Sequence, residues 1–437
     1  MTDSVAARRV LLDGAFAPAT VHLADGRITA ITSYHADAGL VLPDSSYLLP
    51  GVVDTHVHVN EPGRTAWEGF ATATRAAALG GVTTLVDMPL NSVPPTTSLE
   101  ALARKRTVAA DQVAVDVGFW GGAVPDSLGR LEPLWEAGVF GFKCFLSPSG
   151  VEEFPALDAA QLGVALKEIA SFGGLLIVHA EDAAVLEAAP HPPSRAYADF
   201  LLSRPDEAEL AAIRRLLDGA RETGCRVHVL HLSSARALDL LADARAEGLP
   251  VTVETCPHYL CLAADEIPDA APEFKCCPPI RDEGNRSALW DGLADGVIDV
   301  VVSDHSPTTA AMKAAGDGDL QQAWGGIAGL QVGFTAVADE ALRRGHGLER
   351  VATWMATGTA DLVGLRAKGR IAVGADADLV AYDTAVPLSV DASRLAHRNP
   401  GSAYDGRRLG GSVTHTLLRG EPVEEGTRRG VLLERTA

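Results

Sequence analysis

Apolar and polar positions fall into two textures along this chain. Through the middle, short apolar runs rich in β-branched residues occur at 52–59, 83–88, 113–120, 139–146, 175–180, 226–232, 251–255 and 297–303, each reading as a strand. Longer segments rich in Ala, Leu, Arg and Glu separate them, such as 67–79, 157–171, 206–223 and 235–247, and these read as helices. Eight strand–helix units in series predict an α/β fold with a parallel sheet. Eight is also the number that closes a (β/α)8 TIM-like barrel, placed here over residues 52–369. A doubly wound open sheet is the alternative. No Gly-x-Gly-x-x-Gly follows the first strand, which weighs against it.

The two ends have another texture. Residues 10–31 form short β-like pieces broken by Asp13-Gly14 and Asp25-Gly26, both turn signals. Residues 369–382 read as strand, turn, strand, and 413–418 as a further strand. Both ends carry apolar strands that need a partner sheet. Residues 1–51 and 370–437 are therefore predicted to pair into one small composite β-sandwich.

With 437 residues, 47% of them hydrophobic, the chain can fill a large barrel core and a smaller module. The formal net charge of -20 argues against nucleic acid and anionic membrane as partners, since both call for basic patches. No apolar run approaches the roughly 20 residues needed to cross a bilayer. Residues 1–12 contain two arginines and do not read as a signal peptide. Together these predict a cytoplasmic protein. The six cysteines include no Cys-x-x-Cys pair and are read as reduced thiols.

Candidate chemistry falls where the barrel prediction requires it, at the C-terminal ends of strands. His56 and His58 end the first strand, and an i, i+2 pair on a strand shares one face. Lys143 lies in the fourth, within Phe142-Lys143-Cys144-Phe145; His179 ends the fifth, His231 the sixth, and Asp304 follows the eighth. His228 competes with His231, but His231 is nearer its strand end. His228 reads better as a packed or hydrogen-bonded side chain. A lysine among aromatics needs a special solution, because a buried, unpaired ammonium costs several kcal/mol. One solution is a depressed pKa; the neutral amine can then take up carbon dioxide as a carbamate, an anion able to bridge two metal ions. The other is pairing with a carboxylate. Asp304 likewise reads either as a ligand that can also accept a proton or as a helix N-cap. Four imidazoles with carboxylate-like oxygens suit two divalent ions. Zinc fits best, and cobalt, iron or manganese could also be held.

These motifs resemble the amidohydrolase superfamily in its cyclic-amidase branch, which includes dihydroorotases, dihydropyrimidinases (hydantoinases) and allantoinases. The resemblance runs over nearly the whole chain. It implies the barrel, the composite sandwich and a two-metal site bridged by N6-carboxylated Lys143. The remaining ligands would be His56, His58, His179, His231 and Asp304, with Asp304 also catalytic. A non-catalytic relative acting by protein–protein contact would be expected to lack ligands, and here all six positions are filled. Asn60 stands where dihydroorotases carry an arginine for the substrate carboxylate. The runs Asn60-Glu61-Pro62-Gly63-Arg64, Thr255-Cys256-Pro257-His258-Tyr259 and Trp324-Gly325-Gly326-Ile327-Ala328-Gly329-Leu330 are similar to those of allantoinases. The implied activity is hydrolysis of a cyclic ureide, allantoin to allantoate, in purine catabolism by a homotetramer; a hydantoinase or another cyclic amidase is the alternative.

Substrate contacts are expected from Cys277, where relatives commonly have serine, and from Gly325 and Gly326, whose backbone can approach a ring closely. The same glycines could instead make a turn before a helix starting near Ile327. Glu61 and Arg64 are expected to form a loop ion pair or to touch the ureido tail. His258 and His305 lie near the mouth and are candidates to support the ligands.

Overall fold

The computed structural model describes residues 3–435. Eight parallel strands form the barrel: Val52–Val57, Val82–Asp87, Asp116–Phe119, Phe142–Phe145, Leu175–His179, Arg226–Val229, Val251–Thr255 and Val300–Val301. Neighbours pair in chain order from the first strand to the third and from the fourth to the eighth. Past Trp120 the third strand continues as Gly121–Gly122 and pairs with the fourth. A parallel bridge between Val57 and His305 closes the ring. Each predicted strand run therefore holds an observed strand.

Six of the eight strands are shorter than their apolar runs, for identifiable reasons. The eighth stops at Val301 because the Ser303 N–H turns to the Asp54 carboxylate, at 3.2 and 3.3 Å. The run at 113–120 pairs with the chain's end: Val117 donates to Val431 O, and Gly430 donates to Val113 O. A Cβ at Gly118 would lie 2.4 Å from the Phe140 ring, so glycine lets that side chain lie flat on the strand.

The outer helices follow their sequence signals. Ala159–Ser171 begins with a capping box, Asp158 Oδ1 accepting from the Gln161 N–H while the Asp158 N–H donates to Gln161 Oε1. It buries Leu162, Ala165, Leu166 and Ile169, one stripe of a 3.6-residue period. Asp206–Thr223 carries three acids in its first turn and ends at Gly224 with φ 69°, as dipole and C-cap rules favour.

Both chain ends supply one continuous eight-stranded sheet. Its path runs through Glu421–Pro422, Ser412–Leu418, Leu379–Asp383, Ser46–Pro50, Ser4–Leu12, Ala15–Ala24 and Arg27–Ser33, and the eighth strand, Leu40–Val41, pairs off this path with Ser4–Leu12. The sheet curls onto itself: Arg27 bridges Asp376, and Gly26 lies against Arg419. It encloses a separate core of Val5, Val10, Val21, Leu48, Leu379 and Leu417, among others. The stretch predicted as strand just after residue 369 is a turn with a single bridge at Asp376, and the regular strand there is Leu379–Asp383.

A buried ion cluster joins sheet and barrel. Lys368 Nζ reaches Asp116, Asp376 and Asp378 at 2.8, 3.1 and 2.7 Å, and Arg419 forks onto Asp116. No helix among the described residues is long and apolar enough to cross a membrane.

Candidate metal centre at the barrel mouth

The six predicted ligands, drawn from five different strands and the turns after them, come together in one place. His56 Nε2 lies 3.2 Å and His58 Nε2 3.6 Å from Asp304 Oδ1. Lys143 Nζ is 3.5 Å from His56 Nε2. Across the site, His179 Nδ1 is 3.0 Å from His231 Nε2. Donor atoms of His56, His58 and Asp304 all lie within 4.8 Å of one another. Register sets part of this arrangement. Phe145 pairs with His179 across neighbouring strands and stacks on its ring at 4.6 Å, and Lys143 shares the face of Phe145 two residues away.

Two of the six have left-handed backbones, His231 at φ 36° and Asp304 at φ 41°. Such non-glycine residues cluster at functional sites, where surrounding bonds hold them. Here Glu254 Oε1 accepts the His231 N–H at 3.1 Å.

Three of the four site imidazoles are oriented by a second partner. His56 Nδ1 meets Glu254 Oε1 at 2.5 Å, and His58 Nδ1 meets Leu90 O at 2.9 Å. His179 Nε2 meets Glu181 Oε2 at 2.7 Å, and Arg204 clamps Glu181 with bonds of 3.0 and 2.6 Å. His228 is hydrogen-bonded as expected, between Thr252 Oγ1 and Glu254 Oε2.

The electrostatics suit cations. Burial lowers the pKa of His58 and His231, helped by the neighbouring Lys143 and imidazoles. Burial also lowers His179, although Glu181 opposes the shift. Neutral imidazoles are what a metal ion requires. Burial brings Lys143 down to about 8 against the pull of Asp304 and Glu254, and it raises Asp304. Burial would raise Glu254 too, but His56 and His228 outweigh it and hold the carboxyl at about 2. His231 Nδ1 is buried with no hydrogen-bond partner among the described residues. Facing imidazole nitrogens, an unpartnered one and a lysine whose charged form burial disfavours together fit a group of cations.

A cavity of about 410 Å³ opens over these residues. Asn91, Ser149, Arg204, Gln321, Gln322 and Trp324 line it, together with Cys277, Gly325 and Gly326. All three predicted substrate-contact positions thus border the cavity. Gly326 has a structural need as well. Its φ is 106°, and a Cβ there would lie 2.2 Å from Ser306 O. The helix expected near Ile327 begins instead at Gly333, because Ile327 is bridged to His305. Glu61 and Arg64 do not pair with each other. Arg64 pairs with Glu153 and donates to Asn91 O, while Glu61 accepts the Phe70 N–H. His305 bonds Glu68 through Nε2 and accepts the Gly329 and Leu330 N–H groups at Nδ1, so it pins the glycine-rich segment. His258 is buried beside Asp304, its ring against Tyr259.

The sequence reading missed Glu254, Glu181 and Arg204. Glu254 had a signal, an acid inside the apolar run Val251-Thr252-Val253-Glu254-Thr255, the same anomaly that marked Lys143.

Residues 47–423 match the model of the amidohydrolase family, and the chain belongs to that family. Within it, the chain is 58% identical over 419 residues to an allantoinase of Streptomyces avermitilis, covering 95% of this chain and 94% of that one. An allantoinase of Saccharomyces cerevisiae is 45% identical over 441 residues, with 96% and 95% covered. Among solved structures, the L-hydantoinase (dihydropyrimidinase) of Arthrobacter aurescens superposes with TM-score 0.91 at 31% identity, covering 100% of this chain and 98% of that one.

Proposed function

We propose that this chain is an allantoinase, opening the cyclic amide of allantoin to give allantoate. The observation that carries the reading is the convergence of His56, His58, Lys143, His179, His231 and Asp304 under one polar cavity. The full-length likeness to proteins named allantoinase supports the choice of substrate. So do the amides, two hydroxyls and a guanidinium among the lining groups, which offer donors and acceptors to a neutral ureide.

In this reading the six residues hold two divalent ions, with zinc first in fit. Lys143 would serve them as a carbamate ligand, its neutral amine having added to carbon dioxide with loss of one proton. Bound there, the ions supply Lewis acidity and bring water's pKa from 15.7 to about 7. The chain's own residues do the rest. Asp304 Oδ1, next to both first-strand imidazoles, takes the proton of the attacking water and passes it to the ring nitrogen as the C–N bond breaks. The Arg204–Glu181 pair holds the His179 ring at its angle, and Phe145 packs on its face. Cys277, Gly325 and Gly326 border the space for the ring. A cytoplasmic homotetramer is part of the same reading, checked by light scattering of the purified protein and by cell fractionation.

The test is turnover of racemic allantoin by metal-loaded protein, beside hydantoin, dihydrouracil and dihydroorotate. Preference for allantoin supports the reading. Preference for hydantoin or dihydrouracil moves the chain to the hydantoinases, and no turnover with full metal content defeats the catalytic assignment.

A further inference from the structure

One buried acid has a place in this centre beyond its bond to a single ligand. Glu254 is 1% exposed, near the end of the seventh barrel strand. Its Oε1 takes the His56 ring at 2.5 Å and the His231 backbone N–H at 3.1 Å. Its Oε2 takes His228 Nε2 at 3.0 Å, and His228 Nδ1 meets Thr252 Oγ1 at 2.7 Å. One carboxylate therefore touches a side chain of the first strand, the kinked backbone after the sixth, and a brace within the sixth.

Each contact has a consequence for cation binding. A proton held on His56 Nδ1 by Glu254 leaves the lone pair on Nε2. That nitrogen is the one facing Asp304 Oδ1 and Lys143 Nζ. A ligand imidazole whose far N–H meets a carboxylate is fixed in tautomer and ring angle and is a stronger donor. The second contact secures His231, whose φ of 36° turns its N–H inward to the carboxylate. The third stops the carboxylate from rotating, because His228 is itself pinned by Thr252. First-strand and sixth-strand ligands thereby share one anchor.

We propose that Glu254 is the positioning residue of the metal centre, setting the tautomer of His56 and the backbone angle of His231 together. The inference rests on the metal reading of the proposed function. Glu254→Gln keeps the side chain's length but offers an N–H where an acceptor is needed. Metal-stripped wild type and variant are titrated with zinc against a chromogenic chelator, and the visible spectrum is recorded after cobalt loading. The expected result is a folded variant whose zinc affinity is weaker by about 10–100-fold, the usual range for lost outer partners of ligands. Its cobalt bands should be shifted, with the fall in turnover residing in kcat more than KM. Wild-type zinc affinity and cobalt spectrum in folded Glu254→Gln would overturn the inference. Should that variant not fold, His228→Gln decides, since it loosens the brace without altering a ligand; unchanged zinc affinity there overturns it equally. A wild-type protein that binds no metal would instead defeat the proposed function itself, which keeps the two failures apart.

Discussion

Asp304→Asn separates chemistry from architecture at this site. The substitution keeps an oxygen where Oδ1 now lies, 3.2 Å from His56 Nε2 and 3.6 Å from His58 Nε2. What it removes is the ability to accept a proton and return it. Positioned acid–base groups contribute about 10²–10⁴-fold in rate, and Asp304 is asked to act in both directions of one turnover. The expected loss in kcat is therefore about 10²–10⁴-fold, about 3–5 kcal/mol of barrel-mouth catalysis. Metal content should stay close to wild type, because four imidazoles and Lys143 remain. Stability should move the other way. Burial raises the Asp304 pKa in the fold, so in metal-free protein its charge costs stability above that pKa, and the cost fades as pH falls through it. Metal-free Asp304→Asn should then unfold at neutral pH no earlier than metal-free wild type. The assay is steady-state allantoin turnover at matched metal content, with thermal unfolding alongside. A kcat within tenfold of wild type would remove Asp304 from proton transfer.

Four further outcomes are expected. Lys143→Ala should lose activity and regain part of it with acetate or propionate, which can stand in for a carbamate; full activity without added acid would show that Lys143 bridges nothing. At fixed dissolved carbon dioxide, reactivation of stripped, decarboxylated protein should quicken about tenfold per pH unit below about 8 and level off above it, because burial brings the amine to about 8 and only its neutral form reacts. By the same linkage, metal-free, uncarboxylated protein should gain stability from Lys143 between about pH 8 and the unfolded lysine value of 10.5, read from urea midpoints across that window. Lys368→Met should cost about 3–5 kcal/mol in urea unfolding, since it leaves Asp116, Asp376 and Asp378 facing one another with little solvent; a change below 1 kcal/mol would mean that Arg419 and Arg27 satisfy them without it.

The barrel was legible because the strands sit in runs dominated by apolar, β-branched residues, with unusual polar residues gathered toward one end. Buried parallel strands have apolar neighbours on both faces, so a lone His, Lys or Asp at such an end stands out. Strand lengths were not legible, because they depend on distant competitors for hydrogen bonds. Asp54 diverts Ser303, and the segment around Val431 takes up the start of the third strand. The supporting charged residues were harder to read than the candidate ligands. Glu181 and Arg204 sit in segments where charge is ordinary, and only folding brings them together at His179. The misplaced helix start near Ile327 has the same origin. Its N–H and C=O groups are engaged by the loop after the eighth strand, a partnership that local propensity does not record.

The curled terminal sheet has a consequence for how the molecule is made. Ser46, in a strand that leaves the ribosome early, bonds Asp383, 337 residues further along, and all of Ser46–Pro50 is paired with Leu379–Asp383. During synthesis the first strands must wait, one edge bare, while the whole barrel is translated between them and their neighbour. Exposed edges of this kind invite pairing with other chains. Overexpression that outpaces release of finished chains should therefore deposit this protein as aggregates seeded by its first fifty residues rather than by the barrel.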